Sequence, residues 1–126
     1  MAKKPSKRLK PVLPSLKEKK RYLVFEIISK SKIKQAAKLP EIFLKAVKNF
    51  IGELGTAGMG FRYLKENYTA DMQRGMIRVN HNYVNELKSS LALIKEIERQ
   101  PAIVKSVGVS GIIKKAKQKY LKEGEK

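Results

Sequence analysis

Nine residues constrain this chain more than any others: positions 21–29 read RYLVFEIIS. Aromatic and branched side chains this dense belong in a β-strand. Alternation sets Leu23, Phe25 and Ile27 on one side, and Tyr22, Val24, Glu26 and Ile28 on the other. Both sides are mostly apolar, so the strand has to lie inside a sheet with at least partial cover on each face.

The remaining segments supply that sheet and its cover. After a Lys-rich connection, Pro40 suits the first residue of a helix. Phe43, Ala46, Val47, Phe50, Ile51 and Leu54 form one apolar stripe, with Gly55 as its stop. Ile33, Ala36 and Ala37 continue the phase backwards through a kinked turn. Residues 57–65 and 72–79 read as a hairpin around a polar loop at 66–71, with Gly58 and Gly60 marking a bulge or close packing in its first strand. Asn80 or Asn82 can cap a second helix with the stripe Val84, Leu87, Leu91, Ile94 and Ile97. Pro101 ends the turn beyond it. A short strand at 102–107, a small-residue turn at 108–111 and a last amphipathic helix on Ile112, Ile113, Ala116 and Tyr120 complete the chain.

The order strand, helix, strand, strand, helix, strand, plus a terminal helix predicts an α+β fold. It is the ferredoxin-like, RRM-like βαββαβ sandwich with an antiparallel four-stranded sheet and a C-terminal basic helix. Residues 1–19, with Pro5, Pro11 and Pro14 among lysines, read as a flexible basic arm able to order on RNA or DNA. The domain spans 20–122 and a short tail covers 123–126.

Charge narrows the function. Lys and Arg number 29 against 11 acids, a net charge of +18. Residues 1–21 hold nine Lys/Arg and one Glu; residues 101–126 hold seven and two. The two ends therefore carry 13 of the 18 net charges, a distribution suited to binding a polyanion. A solubilising surface could use Glu equally well, which favours nucleic acid. No uncharged stretch exceeds eight residues, far short of the ~20 needed to span a membrane. The start has no apolar run behind its lysines, so no secretory signal is expected, and a cytoplasmic location is. There is no cysteine, which removes disulfides, thiolate metal sites and cysteine nucleophiles. His81 is the sole histidine and Asp71 the sole aspartate. A Ser-His-Asp triad would have to use that one pair, so no catalytic group or metal site is expected on this chain. A surface or capping role suits His81 better.

An RNA-recognition module stacks bases on aromatics of its central strands. Its longer motif would fall on 74–81, where Arg74-Gly75 and Val79 match but Met76, Arg78 and His81 occupy the aromatic positions. Stacking on those positions is therefore not expected. Arg74 and Arg78 instead share one strand face, roughly 13 Å apart at about 3.3 Å per residue. They could grip phosphates or pair with Glu26 across the sheet. The Gly-Val-Ser-Gly turn at 108–111 ahead of a Lys-rich helix is a second anion candidate through Ser110 and Gly111, or an ordinary cap. The expected RNA-contacting set is Lys3, Lys4, Lys7, Arg8, Lys10, Lys17 and Lys19 in the arm, and Lys20, Arg21, Arg62, Arg74, Arg78 and Lys105 in the strands. Ser110, Gly111, Lys114, Lys115, Lys117 and Lys119 follow in the turn and last helix.

With these segments in view, the chain resembles the family of ribonuclease P protein component 2. That family is the archaeal counterpart of the small precursor-processing subunit shared by eukaryotic ribonucleases P and MRP. The resemblance covers about 20–121. It rests on Arg21-Tyr22-Leu23, Phe25-Glu26-Ile27, Gly55, Gly60-Phe61, Arg62-Tyr63-Leu64, Gly75, Ile77-Arg78-Val79, Tyr83, Val107-Gly108-Val109-Ser110-Gly111 and Ile113-Lys114. Ile112 departs from it, standing where a threonine is expected. The resemblance implies a noncatalytic subunit that binds the catalytic domain of ribonuclease P RNA. That RNA performs magnesium-dependent removal of the 5′ leader of precursor tRNA, which the protein would meet only indirectly. It further implies a TIM-barrel partner, component 3, in a two-plus-two assembly, and no cofactor on the protein. Composition alone leaves room for a basic ribosomal or other structural nucleic-acid-binding protein, and for a protein nuclease built on His81 or Asp71.

Overall fold

The computed structural model describes residues 19–121. The basic arm up to residue 18 and the tail at 123–126 lie outside them. Strand β1 (Lys20–Ser29) is the middle of a five-stranded sheet. Around it lie β2 (Arg62–Tyr63), β3 (Arg74–Asn80), β4 (Glu96–Ile97) and β5 (Gln100–Ser110), in the order β2-β3-β1-β5-β4. Every neighbouring pair is antiparallel. Helix α1 (Leu39–Met59) follows β1, α2 (Val84–Ala92) follows β3, and α3 (Ile113–Ala116) runs on into a π-helical turn, Lys117–Leu121. Among the described residues no helix is long and apolar enough to cross a membrane.

The two faces of β1 are covered separately. Leu23, Phe25 and Ile27 join Ile77 and Val79 of β3 in a buried cluster with Phe43 and Val47 of α1 and Leu87 and Leu91 of α2. Phe25 meets Phe43 edge to face, with ring centres 4.9 Å apart. Burying one such side chain stabilises by about 1.5–3 kcal/mol. On the opposite face Val24 and Met76 form a smaller cluster with Leu64, Ala116 and Leu121, so the last helix lies on the sheet. Gly108 stands beside Val24 in the register, and a Cβ there would come within 2.1 Å of the Tyr120 ring. The missing side chain is what lets that ring lie on β5. Just before it the register slips, Val24 facing Gly108 and Phe25 facing Ser106, so Val107 is the extra residue of a bulge.

Several expected boundaries are corrected. The sheet has five strands, not four. Helix α1 does not stop at Gly55: it is interrupted at Gly52 (φ 80°, ψ 175°), resumes to Met59, and ends on left-handed Gly60 (φ 70°). Gly58 is therefore helical, and only Arg62–Tyr63 of the expected strand 57–65 pairs. Along the α1 stripe Phe43 and Val47 are buried, whereas Phe50 and Leu54 are exposed. Helix α2 ends at Ala92, and Ile97 is buried from β4. The strand expected at 102–107 runs from Gln100 to Ser110 and absorbs Pro101 and most of the expected 108–111 turn. Neither asparagine caps α2: the Asn80 amide donates to the Gly58 carbonyl at 3.0 Å, and the α2 N-cap position is Tyr83, with no side-chain bond. Ile112 and Ile113, expected on a buried face, are exposed; Ala116 and Leu121 take that place.

The β4–β5 hairpin turns on Glu98 and Arg99, both at positive φ (56° and 62°). For non-glycine residues this costs roughly 1–2 kcal/mol each. The Glu98 carboxylate offsets it by accepting from the backbone N–H of Gln35 (2.7 Å) and Lys34 (3.0 Å), tying the hairpin to the entry of α1. These bonds, Gln35 first, hold its pKa below the ordinary 4.5. A depressed carboxyl pKa contributes stability fully above the ordinary value and loses it as pH falls through the depressed one. Glu98→Gln should therefore lower Tm at neutral pH. The gap to the native chain should close on acidification below pH 4.5, as followed by circular dichroism melts. In a separate test, Gly108→Val should lose roughly 1–3 kcal/mol in urea unfolding, the range for an overpacked contact, as Tyr120 is pushed off β5.

Candidate nucleic-acid interface

At one end of the sheet four residues from four strands form a row. Arg62 faces Arg78, Arg78 faces Tyr22, and Tyr22 faces Ser110. The row lies on the same side as Val24 and Met76, next to the start of α3. Residues directly opposite on antiparallel strands have Cβ atoms about 4.5–5.5 Å apart, and like charges so placed are destabilising. Arg62 is exposed, while Arg78 is half-buried with its Nε enclosed and without a hydrogen-bond partner among the described residues. Among the described residues no carboxylate lies within 4 Å of either guanidinium, and the one such ion pair is Arg74–Glu26. Two facing arginines without a carboxylate are an electrostatic cost that an anion would relieve.

Further cations collect at this end. Arg21 donates to the Lys20 carbonyl at 3.0 Å, and its guanidinium passes Gly111 so closely that a Cβ there would sit 3.3 Å away. The Lys20 ammonium is held by the Asn80 side chain. The Lys19 carbonyl accepts from the His81 N–H at 2.7 Å, which anchors the residue just before β1. Lys114, Lys115, Lys117 and Lys119 are exposed along α3 and its π-helical turn, which lead away from this end over the middle of the sheet.

Other expected residues are placed elsewhere. Arg74 lies 3.6 Å from Glu26 and donates to the Tyr120 carbonyl at 2.8 Å, so it pins the final turn to the sheet. Lys105 stands opposite Glu26, roughly 13 Å along the strands from the arginine row. The Ser110 hydroxyl is engaged locally, accepting from the Ile112 N–H and donating to the Ile112 carbonyl, both at 3.1 Å. Lys3, Lys4, Lys7, Arg8, Lys10 and Lys17 lie outside the described residues. Tyr22 was missing from the expected set. The base-stacking motif falls on the third strand, whereas the register seats Tyr22 of the central strand beside Arg78. Asp71 and His81 flank opposite ends of β3, on the order of 20 Å apart, too far for one hydrogen-bonded triad. Among the described residues no three of His, Asp and Glu gather into a metal-holding group.

Fold and site together define a small basic α+β domain whose cations cluster at one open end of its sheet. The chain belongs to the Rpp14/Pop5 family, whose family model matches residues 21–121. It is 37% identical over 118 residues to ribonuclease P protein component 2 of Pyrococcus furiosus, covering 94% of this chain and 96% of that one. It is 35% identical over 116 residues to the Methanocaldococcus jannaschii protein of the same name, covering 90% and 81%. Its fold is similar to that of a chain in the cryo-EM structure of yeast ribonuclease MRP, with TM-score 0.57, 20% identity and 75% of each chain covered.

The facing arginines make a separable prediction for the isolated protein. Arg62→Ala should raise stability in low salt by about 0.2–1 kcal/mol, the scale of a cross-strand charge pair. The gain should shrink in high salt as screening takes over. Unfolding curves at two ionic strengths read it, and a loss of stability in low salt would show that Arg62 is held by a favourable contact.

Proposed function

We propose that this chain is a noncatalytic, RNA-binding protein subunit of ribonuclease P that supports the catalytic RNA in removing the 5′ leader of precursor tRNA. Membership of the Rpp14/Pop5 family and the names of its relatives support the reading. The observation that carries it on this chain's own residues is the opposed Arg62 and Arg78. A folded RNA brings many phosphates close together, and a subunit with net charge +18 reduces their repulsion. The RNA would then hold its active fold at lower magnesium. In this reading magnesium travels with the RNA, the protein carries no cofactor, and the complex works in the cytoplasm.

The finer parts of the proposal are contact with the catalytic domain of the RNA, indirect contact with precursor tRNA, and pairing with the TIM-barrel component 3 in a two-plus-two assembly. A protein partner is supported by Ile28 and Ile103, which face each other in the register and are 47% and 60% exposed. We also read the order β2-β3-β1-β5 as ferredoxin-like, with β4 added at one edge.

The deciding measurement is precursor-tRNA cleavage by the reconstituted RNA, with and without this chain and its partner subunits, across a magnesium series. The chain should lower the magnesium requirement, and cleavage by the protein without RNA would defeat the proposal. Each phosphate contact adds about 0.7–0.9 to the slope of log affinity against log salt. Replacing Arg62 and Arg78 together by alanine should therefore reduce that slope by about 1–2. Deleting residues 1–19 should flatten it further; an unchanged slope would remove the arm from the binding surface.

A further inference from the structure

Between the π-helical turn and the segment following β2 lies a cavity of about 460 Å³ that the arginine row does not use. Its polar wall includes Asn67, and its apolar walls are Ile113 and Leu121. Lys114 and Lys117 line it as well, together with the amide of Gln118. The volume lies within the range of small-molecule sites, about 300–1,000 Å³, and far exceeds what a lone ion would fill.

Asn67 gives the cavity its chemistry. The residue is 7% exposed, yet its amide nitrogen reaches only the Met76 sulfur, at 3.7 Å, and a thioether is a weak acceptor. Its carbonyl oxygen has no hydrogen-bond partner among the described residues. That oxygen is not among the enclosed atoms left without a partner, so a ligand in the open cavity can reach it. A donor and an acceptor on one planar group match the edge of a nucleobase, and apolar side chains flank its faces. The two lysines would meet the attached phosphate. Glu66 also lines the cavity, and its carboxylate would accept from an exocyclic amine or ribose hydroxyl and would repel a second phosphate.

We propose that this cavity receives one unpaired nucleotide extruded from an RNA helix. The inference rests on the RNA-binding reading above and deepens it. The chain would hold a duplex by its phosphates at the arginine row and select a bulge or loop by the cavity. Continuity along the chain favours this: Ser110 ends the row three residues before Ile113, and Arg62 precedes Asn67 by five. Stacking platforms on the sheet are not required, because the base would be held in the cavity beside it.

The probe is a set of RNA hairpins identical except for a single bulged A, C, G or U, compared with the fully paired hairpin by fluorescence anisotropy at fixed salt. At least one bulged hairpin should bind the full-length chain about tenfold more tightly than the paired one, within the usual worth of a well-held base. Asn67→Ala should erase that preference while leaving affinity for the paired hairpin within about twofold. Because Asn67 is buried, Ile113→Ala is the second arm: Ile113 is 36% exposed, folding should tolerate its loss, and the preference should fall severalfold. If the native chain binds both hairpins equally, or both variants keep the preference, the cavity is not a nucleotide site and the RNA-binding reading stands. If no hairpin binds at all, that reading falls and takes the cavity with it.

Discussion

Strand β1 cannot be half-covered, and most of the architecture follows from that. Leu23, Phe25 and Ile27 demand one apolar layer, which the two long helices supply. Val24 demands a second on the other side, and the short terminal helix supplies it through Ala116 and Leu121. The second cover is small, so it depends on close fitting. Gly108 leaves the space that the Tyr120 ring fills, and Arg74 holds the Tyr120 carbonyl against the sheet. An open sheet face of the kind used for base stacking is thereby closed over its middle, and only its two ends are left.

Those ends differ in chemistry because β1 differs along its length. Toward Lys20 the open row is Arg62, Arg78, Tyr22 and Ser110; toward Ser29 it is Ile28 opposite Ile103. One end is cationic and the other apolar, and the terminal helix lies between them. The row between the two sets Glu26 between Arg74 and Lys105, and Arg74 pairs with it. Of the two arginines four residues apart on β3, one serves the fold, and the other is left half-buried opposite a second arginine. The same side-chain type does opposite work according to which acid lies across the strand.

Much of this was legible in the chain. The central strand, the proline-led first helix, the hairpin and the lysine-studded terminal helix are all written in local patterns. The fifth strand was not. Its turn uses Glu98 and Arg99 at positive φ where Asn-Gly would be the recognisable pair, and the carboxylate that makes this tolerable reaches residues more than sixty positions away. The end of α1 was misplaced for a related reason. Gly55 is a plausible stop by composition, but the left-handed conformation falls on Gly60, beside Asn80 at the end of β3.

By itself the sequence determined the net charge and its placement, the lack of cysteine chemistry, the family resemblance and a central strand at least partly covered on both faces. These depend only on which residues are present and how neighbours alternate. Tertiary structure alone decided that Arg78 faces Arg62 while Arg74 finds Glu26, that Tyr22 joins the cation row, and that Asn67 lines a cavity with its amide poorly partnered. Each of these is a relation between residues distant along the chain. It is set by strand register and by where the last helix docks, and a shift of one residue would turn the strand-borne arginines, Glu26 and Tyr22 to the other face.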